Sequence, residues 1–567
     1  MVCPPGRSEP FHTAARTFPF AWRRARLTAH KTHGTTSARK NENRTSKLTI
    51  CQKLASCRID SVRLAGFSPL DKHDIVQRCI GGDAVTELPG DFAVAASGTT
   101  PESKPFVFLI TSAISAIPYF YYADDQGFFH GASVFEVVEE GRLPWEWNMR
   151  AVNCVAILDH CVGDDSLHAR VKRAKPASLY YWCEGRLEVK HFSFPSDIFS
   201  AGKMNLDDAV EAYEQVFSEY CSCRNEVALS MSAGLDSRAL LAGLMARDRR
   251  PLLGTMGHAD STDLKIARTI ADDLNLEHRV VELKVDDYLR YGSEIARLTG
   301  GTKTLANWHT YIYIRKVDFP AGCLHFAGAN GELFRSYYFD KGMLAVLADL
   351  LPADSAMKLL FSYKYSPGRR LEGVWGKAFG NSTFAWNQIP ALCAASVPSS
   401  CSVLSDKLDY FYTFERVRHF IGNGLCLYNA AVLTGSPFLD QRVTSAGARL
   451  PTAAKRNNAF HLHLIRNSFP QLMDYPVDDT TRSLRNQAGG LYWLRRRPST
   501  GYGIQQQLFQ DKRLVEVYLD SPYLDQFLAR PERQKALEQK AWQVFNFLTT
   551  MHFACSEIEK IETSRRS

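Results

Sequence analysis

Residues 228–244 read ALSMSAGLDSRALLAGL, and the change of pattern inside this stretch decides the fold. Val227 to Met231 form a short apolar run suited to a buried strand, and Leu235, Ala239, Leu240 and Ala242 to Leu244 recur at the spacing of a helix packed on a sheet. The small residues between them sit at a helix N-terminus. There the backbone N–H groups of Ala233, Gly234 and Leu235 and the hydroxyls of Ser232 and Ser237 can converge on an anion, with the positive helix end assisting. Phosphate is the natural guest. Asp236 would repel bare phosphate, but it fits if a divalent metal lies between carboxylate and phosphate oxygens. The stretch therefore reads as a magnesium-nucleotide loop, the alternative being a strand-turn-helix whose small residues only permit close packing.

The loop is not of the commonest kinds. Neither GxxxxGK[ST] nor GxGxxG occurs in the chain, so neither a P-loop NTPase nor a dinucleotide fold is supported.

The surrounding sequence bounds what such a loop can serve. At 567 residues, 45% hydrophobic and 23% charged, the chain has room for two or three globular domains. Its charge is uneven: residues 1–47 carry ten Lys or Arg against Glu9 and Glu42, which accounts for the whole net charge of +8. The remainder is neutral, so nucleic-acid binding loses its main electrostatic support. The basic leader lacks an apolar core, is not a secretory signal, and reads as a solvated tail, a transit peptide or residues upstream of the working start. Residues 105–123 are uncharged, but Thr111, Ser112, Ser115 and Pro118 divide them into FVFLI and YFYY, two strands joined by a turn rather than a membrane span. Fourteen cysteines without a CxxC pair specify neither a zinc site nor a disulfide framework, and point to the cytoplasm.

Along the chain, residues 48–197 show short strands with polar turns (GDFAVAAS, PFVFLIT, IPYFYYADDQGFFHGAS), a β-rich domain. Over 204–555 helical periods dominate, interrupted by the apolar runs RPLLGTMG, HRVVEL and AGCLHFAG. Strand alternating with helix predicts a doubly wound parallel α/β sheet, in which ligands lie beyond the carboxyl ends of the strands, followed by a helical C-terminal part.

SAGLDS at 232–237 resembles the SGGxDS loop of PP-loop ATP pyrophosphatases, and its companions resemble the asparagine synthetase family. TMGHADSTDLKIARTIADDLNLEH at 255–278, AGANGELFRSYY at 327–338 and SPFLD at 436–440 follow in that family's order. Upstream, LPGDFAVA at 88–95, IPYFYY at 117–122 and VGDDSLHARVKRAKPAS at 162–178 resemble its N-terminal, Ntn-type glutamine amidotransferase domain. The resemblance implies an ATP- and Mg2+-dependent ligase that adenylates a small-molecule or peptide carboxylate and lets ammonia or a substrate amine attack, without nucleic-acid or membrane partners. It implies that Met231, Ser232, Ala233, Gly234, Leu235, Asp236, Ser237, Met256, Ala327 and Gly328 enclose the nucleotide, with Asp236 and Glu332 toward the metal.

The departures are as informative. The family's glutaminase needs an N-terminal cysteine at position two, and here that residue is Val2; Cys51 and Cys57 lie inside the chain. A degenerate amidotransferase-like domain without glutaminase activity is expected. Gly331 stands where the family offers Asp. The family's lysine after PFLD is missing, since no lysine lies between Arg456 and Asp511, so Lys455 or Arg482 would have to serve at the adenylation step. A non-catalytic nucleotide-binding protein of the same fold is the competing reading; an enzyme adenylating tRNA bases is disfavoured by the neutral body and unpaired cysteines. His258, His278 and His325 border the candidate pocket and read as packed or polar histidines.

Overall fold

Alternation along the first strands places one side of a sheet on each of two cores. The computed structural model describes residues 49–258, 261–338, 350–364, 388–456, 458–477 and 503–566. It begins with β1 (Arg58–Phe67), β2 (Asp91–Thr99), β3 (Pro105–Thr111), β4 (Phe120–Ala123), β5 (Phe128–Gly131), β6 (Lys172–Arg173), β7 (Ser178–Cys183) and β8 (Arg186–His191). Five of them form an antiparallel sheet in the order β1-β2-β3-β7-β8. Its central strands are apolar on both faces. Val94, Ala96, Phe106, Phe108 and Ile110 pack against Ile75, Val76 and Cys79 of the helix Lys72–Gly81, while Ala93, Ala95, Leu109 and Tyr180 face Tyr119 and Phe128. The edge strand β8, RLEVKH, is charged and largely exposed, which keeps it from pairing with another chain.

The segment 105–123 is divided as its sequence predicts, but its two strands do not pair with each other. β3 lies in the five-stranded sheet and β4 in a separate three-stranded sheet, order β5-β4-β6. The reason lies between them: Asp91 draws the connecting chain inward, accepting from Ser112 Oγ at 2.8 Å, Ala116 N at 3.0 Å and Ile117 N at 2.8 Å.

The second half is built on β9 (Val227–Ser230), β10 (Leu252–Met256), β11 (His278–Val281), β12 (Leu324–Phe326) and β13 (Thr434–Gly435). They form an all-parallel sheet in the order β11-β10-β9-β12-β13. The chain therefore lays two strands, β10 and β11, outward from β9 and then returns to β9's other side. The strand order thus reverses between β9 and β12, and in such sheets the carboxyl ends of the strands at the reversal are the usual ligand position. The helix Leu206–Ser222 leads into β9; Asn205 caps it by accepting from Asp208 N, and Asp207 and Asp208 suit its positive end. Its buried Phe217 meets the helix Leu235–Met245 at Gly243, where a Cβ would stand 2.7 Å from the ring. The C-terminal helix Trp542–Arg566 packs on Val285–Leu298, with Phe553 closing on Gly292 at 2.6 Å from a Cβ built there. Among the described residues no helix is long and apolar enough to cross a membrane.

A buried polar clasp joins the antiparallel and parallel halves. Tyr412–Ile421, ten residues, is wound as a π-helix, a rare conformation, and two of its charged side chains reach the antiparallel half. Glu415 accepts from Gly163 N at 2.7 Å, and Arg418 donates to Gly163 O at 3.0 Å and Ala174 O at 2.6 Å. Gly422, just beyond, lies so close to Ala116 that a Cβ there would be 1.8 Å from its carbonyl oxygen. SPFLD contributes as well: Asp440 Oδ2 accepts from Gly90 N at 3.2 Å, tying it to the LPGDF turn.

Candidate functional site

The loop Met231–Gly234 leaves the carboxyl end of β9 and enters the helix at Leu235. Gly234 at the helix cap supplies no side-chain acceptor, so the helix end is not closed by its own cap. The loop is nonetheless satisfied within the protein. Ala233 N donates to Asp263 Oδ1 at 2.7 Å and Gly234 N to Ser232 Oγ at 3.2 Å, while the Ser232 and Ser237 hydroxyls lie 3.0 Å apart. The expectation that these amides stand open thus needs adjustment: a carboxylate oxygen already occupies one of them. Asp263 begins the helix Thr262–Asp273 after β10, and its charge on Ala233 N is the interaction an anionic ligand would replace.

The other residues expected at the nucleotide are brought to the same end of the sheet. Met231 is buried, its N–H bonded to Gly254 O at 2.8 Å and its carbonyl accepting from Thr255 Oγ1 at 2.9 Å. Met256 ends β10 and is half-buried. Ala327 follows β12 with its N–H on Gly435 O at 3.1 Å, and Gly328 abuts Asp236, where a Cβ would be 2.8 Å from the Asp236 Cβ.

Asp236 has partners that its local sequence does not announce. Arg335 Nη2 donates to Asp236 Oδ2 at 2.7 Å. His461 Nε2 stands 2.7 Å from Oδ1, off the direction of a good hydrogen bond. Burial would push the Asp236 carboxyl up; the Arg335 guanidinium and His461 more than reverse this and hold it below the usual range. Burial pushes the His461 imidazole down, against Asp236. Neither residue was singled out by sequence reasoning: Arg335 lies 99 positions from Asp236, and His461 sits in an unremarkable amphipathic helix, Ala459–Ser468.

Arg335 is fixed by its own loop. The 3-10 turn Gly331–Arg335 is bracketed by Asn330 at φ 72° and Ser336 at φ 51°, both left-handed. Such conformations are uncommon outside glycine. Asn330 is held there by Nδ2 donating to Phe438 O at 2.9 Å and Thr444 Oγ1 at 3.1 Å, which joins the AGANGELF and SPFLD segments. Gly331 is required by proximity: a Cβ would lie 2.5 Å from Asp236 Oδ1. Glu332, the second expected metal ligand, accepts from Tyr412 Oη at 2.8 Å. Among the described residues no group of three or more His, Cys, Asp or Glu is placed to hold a metal ion.

Of the two cations expected at the adenylation step, Lys455 is buried with Nζ 2.7 Å from Asp409 Oδ2, and Arg482 lies outside the described residues. His325 bridges Ser230 Oγ and Thr434 Oγ1 at 2.8 and 3.0 Å, and burial pushes it down to about 3. His278 Nε2 lies 2.9 Å from Thr255 Oγ1. Cys57 Sγ donates to Lys53 O at 3.1 Å, and burial pushes that thiol up, away from a reactive thiolate.

Comparison with known proteins finds a distant similarity over part of the chain. A Methanocaldococcus jannaschii protein named "Putative asparagine synthetase", glutamine-hydrolyzing, is 25% identical over 232 residues. The match spans 40% of this chain and 40% of that protein's length. No family model matches the chain. The similarity is distant and covers less than half of either chain.

Proposed function

We propose that the chain is an ATP-dependent amide-forming ligase of asparagine synthetase type. The observation that carries this reading is the position of SAGLDS at the reversal point of a parallel sheet, with Met231, Met256 and the Ala327–Gly328 pair at the same edge. In this reading the carboxylate oxygen of an acid substrate attacks the α-phosphorus of ATP, the α–β phosphoanhydride bond breaks, and pyrophosphate leaves against the loop. Ammonia or a substrate amine then attacks the acyl carbon, AMP departs with the carbon-bound oxygen, and the nitrogen's proton passes to solvent. Adenylation is useful because it converts a poor leaving oxygen into a good one, and a preorganised loop stabilises the departing charge. The antiparallel half, an amidotransferase-like domain by its motifs, serves as a structural partner bound through the π-helix clasp.

Pyrophosphate release in the presence of ATP and a panel of carboxylates, with and without ammonium, tests this. A second reading, nucleotide binding without chemistry, draws on Gly331 and on the pairing of Lys455 with Asp409; ATP binding with no pyrophosphate release from any acid would favour it.

A further inference from the structure

We infer that His461 and Asp236 together hold a divalent ion of the first transition row at this loop, the imidazole making the site selective against Mg2+. The inference rests on the nucleotide reading above only for the ligands a polyphosphate would add; the two protein ligands stand on their own geometry. The Asp236 carboxylate is divided between its oxygens. Oδ2 accepts from Arg335 Nη2 at 2.7 Å, while Oδ1 is buried and makes no hydrogen bond. His461 Nε2 stands 2.7 Å from that oxygen, and neither ring nitrogen makes a hydrogen bond although the side chain is fully buried. Buried polar atoms are almost always paired. Two electronegative atoms this close, with no proton in line between them, repel; a cation bound by both removes the repulsion and satisfies both.

Space, stiffness and charge fit the same ion. Ligands about 2.1 Å from an ion and at right angles to each other stand about 3 Å apart, so a small parting of Nε2 and Oδ1 admits it. Gly331 leaves room beside the carboxylate, since a Cβ there would fall 2.5 Å from Oδ1. The imidazole is aimed by packing: it lies edge-on to Phe334 and Phe460, ring centres 6.3 and 5.7 Å away, and tilted against Phe438 at 5.9 Å. Its nitrogens are therefore not needed to hold the ring. The helix Ala459–Ser468 that carries it packs on Leu235–Met245, whose first turn carries Asp236. Asp236 and Asp263 both meet the loop, against Arg335, and a divalent ion lets phosphate approach these carboxylates. The imidazole decides the kind of ion. Mg2+ prefers oxygen ligands, whereas first-row transition ions accept nitrogen, with affinity rising from Mn2+ toward the later members. The remaining positions are for phosphate oxygens and water.

Mn2+, whose spectrum reports on its ligands, is the probe. The full chain is titrated with Mn2+, with and without ADP, counting unbound Mn2+ by its EPR signal and measuring Mg2+ by competition; pulsed EPR then reads nitrogen coupled to the bound ion. The expected result is an imidazole 14N coupling that becomes a 15N coupling in protein grown on 15N-histidine, and Mn2+ bound tenfold or more tightly than Mg2+. In His461→Leu the coupling should vanish and the preference over Mg2+ shrink to about threefold; Asp236→Asn should weaken Mn2+ tenfold or more. Thermal melts confirm that each variant is folded, and the isotope comparison on the unaltered chain needs no variant. Bound Mn2+ without nitrogen coupling would overturn the inference, as would a coupling that survives in folded His461→Leu. No Mn2+ binding with or without ADP would overturn it too, and calorimetric binding of ATP with Mg2+ in the same protein would then leave the nucleotide reading standing.

Discussion

Replacing Lys455 by methionine separates a structural lysine from a catalytic one. Its side chain is 2% exposed and that of Asp409 4%, with Nζ and Oδ2 2.7 Å apart and the Ala448 carbonyl 3.5 Å away. Lys455→Met keeps the aliphatic volume and leaves Asp409 buried without its cation. Breaking one side of a buried ion pair costs about 3–5 kcal/mol, which for a body of this size lowers the thermal midpoint by roughly 3–5 °C. The pH dependence has a definite sign. Burial already raises the Asp409 pKa, with Lys455 opposing it; removing Lys455 raises it further, so the deficit is largest at high pH and shrinks as pH falls and Asp409 takes a proton. The double replacement Lys455→Met with Asp409→Leu removes both charges and should recover most of the loss. Thermal melts of the three proteins at pH 5 and pH 8 give the answer. A Lys455→Met protein as stable as the original, but without pyrophosphate release, would refute the structural assignment and return Lys455 to the adenylation step.

Burial raises Glu415 to about 7. Its stabilising contribution is thus complete below its ordinary value near 4.5 and lost as pH rises through about 7; Glu415→Gln should gain up to about 3 kcal/mol over the original at pH 8 and nothing at pH 4 in denaturant melts. Gly422→Val should part the π-helix from the Ala116 turn, since even a Cβ would be 1.8 Å from that carbonyl oxygen. The expected loss is about 3 kcal/mol or more, seen as a lowered midpoint or insoluble protein. Cys57, its thiol bonded to the Lys53 carbonyl and pushed up by burial, should not serve as a nucleophile, so Cys57→Ala should leave glutamate release from glutamine unchanged; release abolished by that change would contradict this.

The strand-loop-helix at the centre of the parallel sheet was legible because local signals agree there: an apolar run, small residues, then a helical period. RPLLGTMG, HRVVEL and AGCLHFAG likewise announced β10, β11 and β12. β13 was not legible, since Thr434–Gly435 is two residues long and neither is apolar enough to mark a strand. Nor was the separation of β3 from β4, because sheet membership is decided by Asp91, distant in sequence from the turn it gathers. The site divides in the same way. Ser232, Gly234 and Asp236 are one local motif, whereas Arg335 and His461 reach Asp236 only through the folded chain. The π-helix had no local signature either; its winding accompanies polar contacts to Gly163 and Ala174 in the other half.

The most direct test of the account is ATP–pyrophosphate exchange. Labelled pyrophosphate should enter ATP only when a suitable carboxylic acid is present, because exchange requires reversible formation of the acyl-adenylate, and Gly234→Val should abolish it by crowding the loop at the helix end. Exchange that is independent of any acid, or that survives unchanged in a folded Gly234→Val protein, would contradict the claim that this loop binds ATP for carboxylate activation.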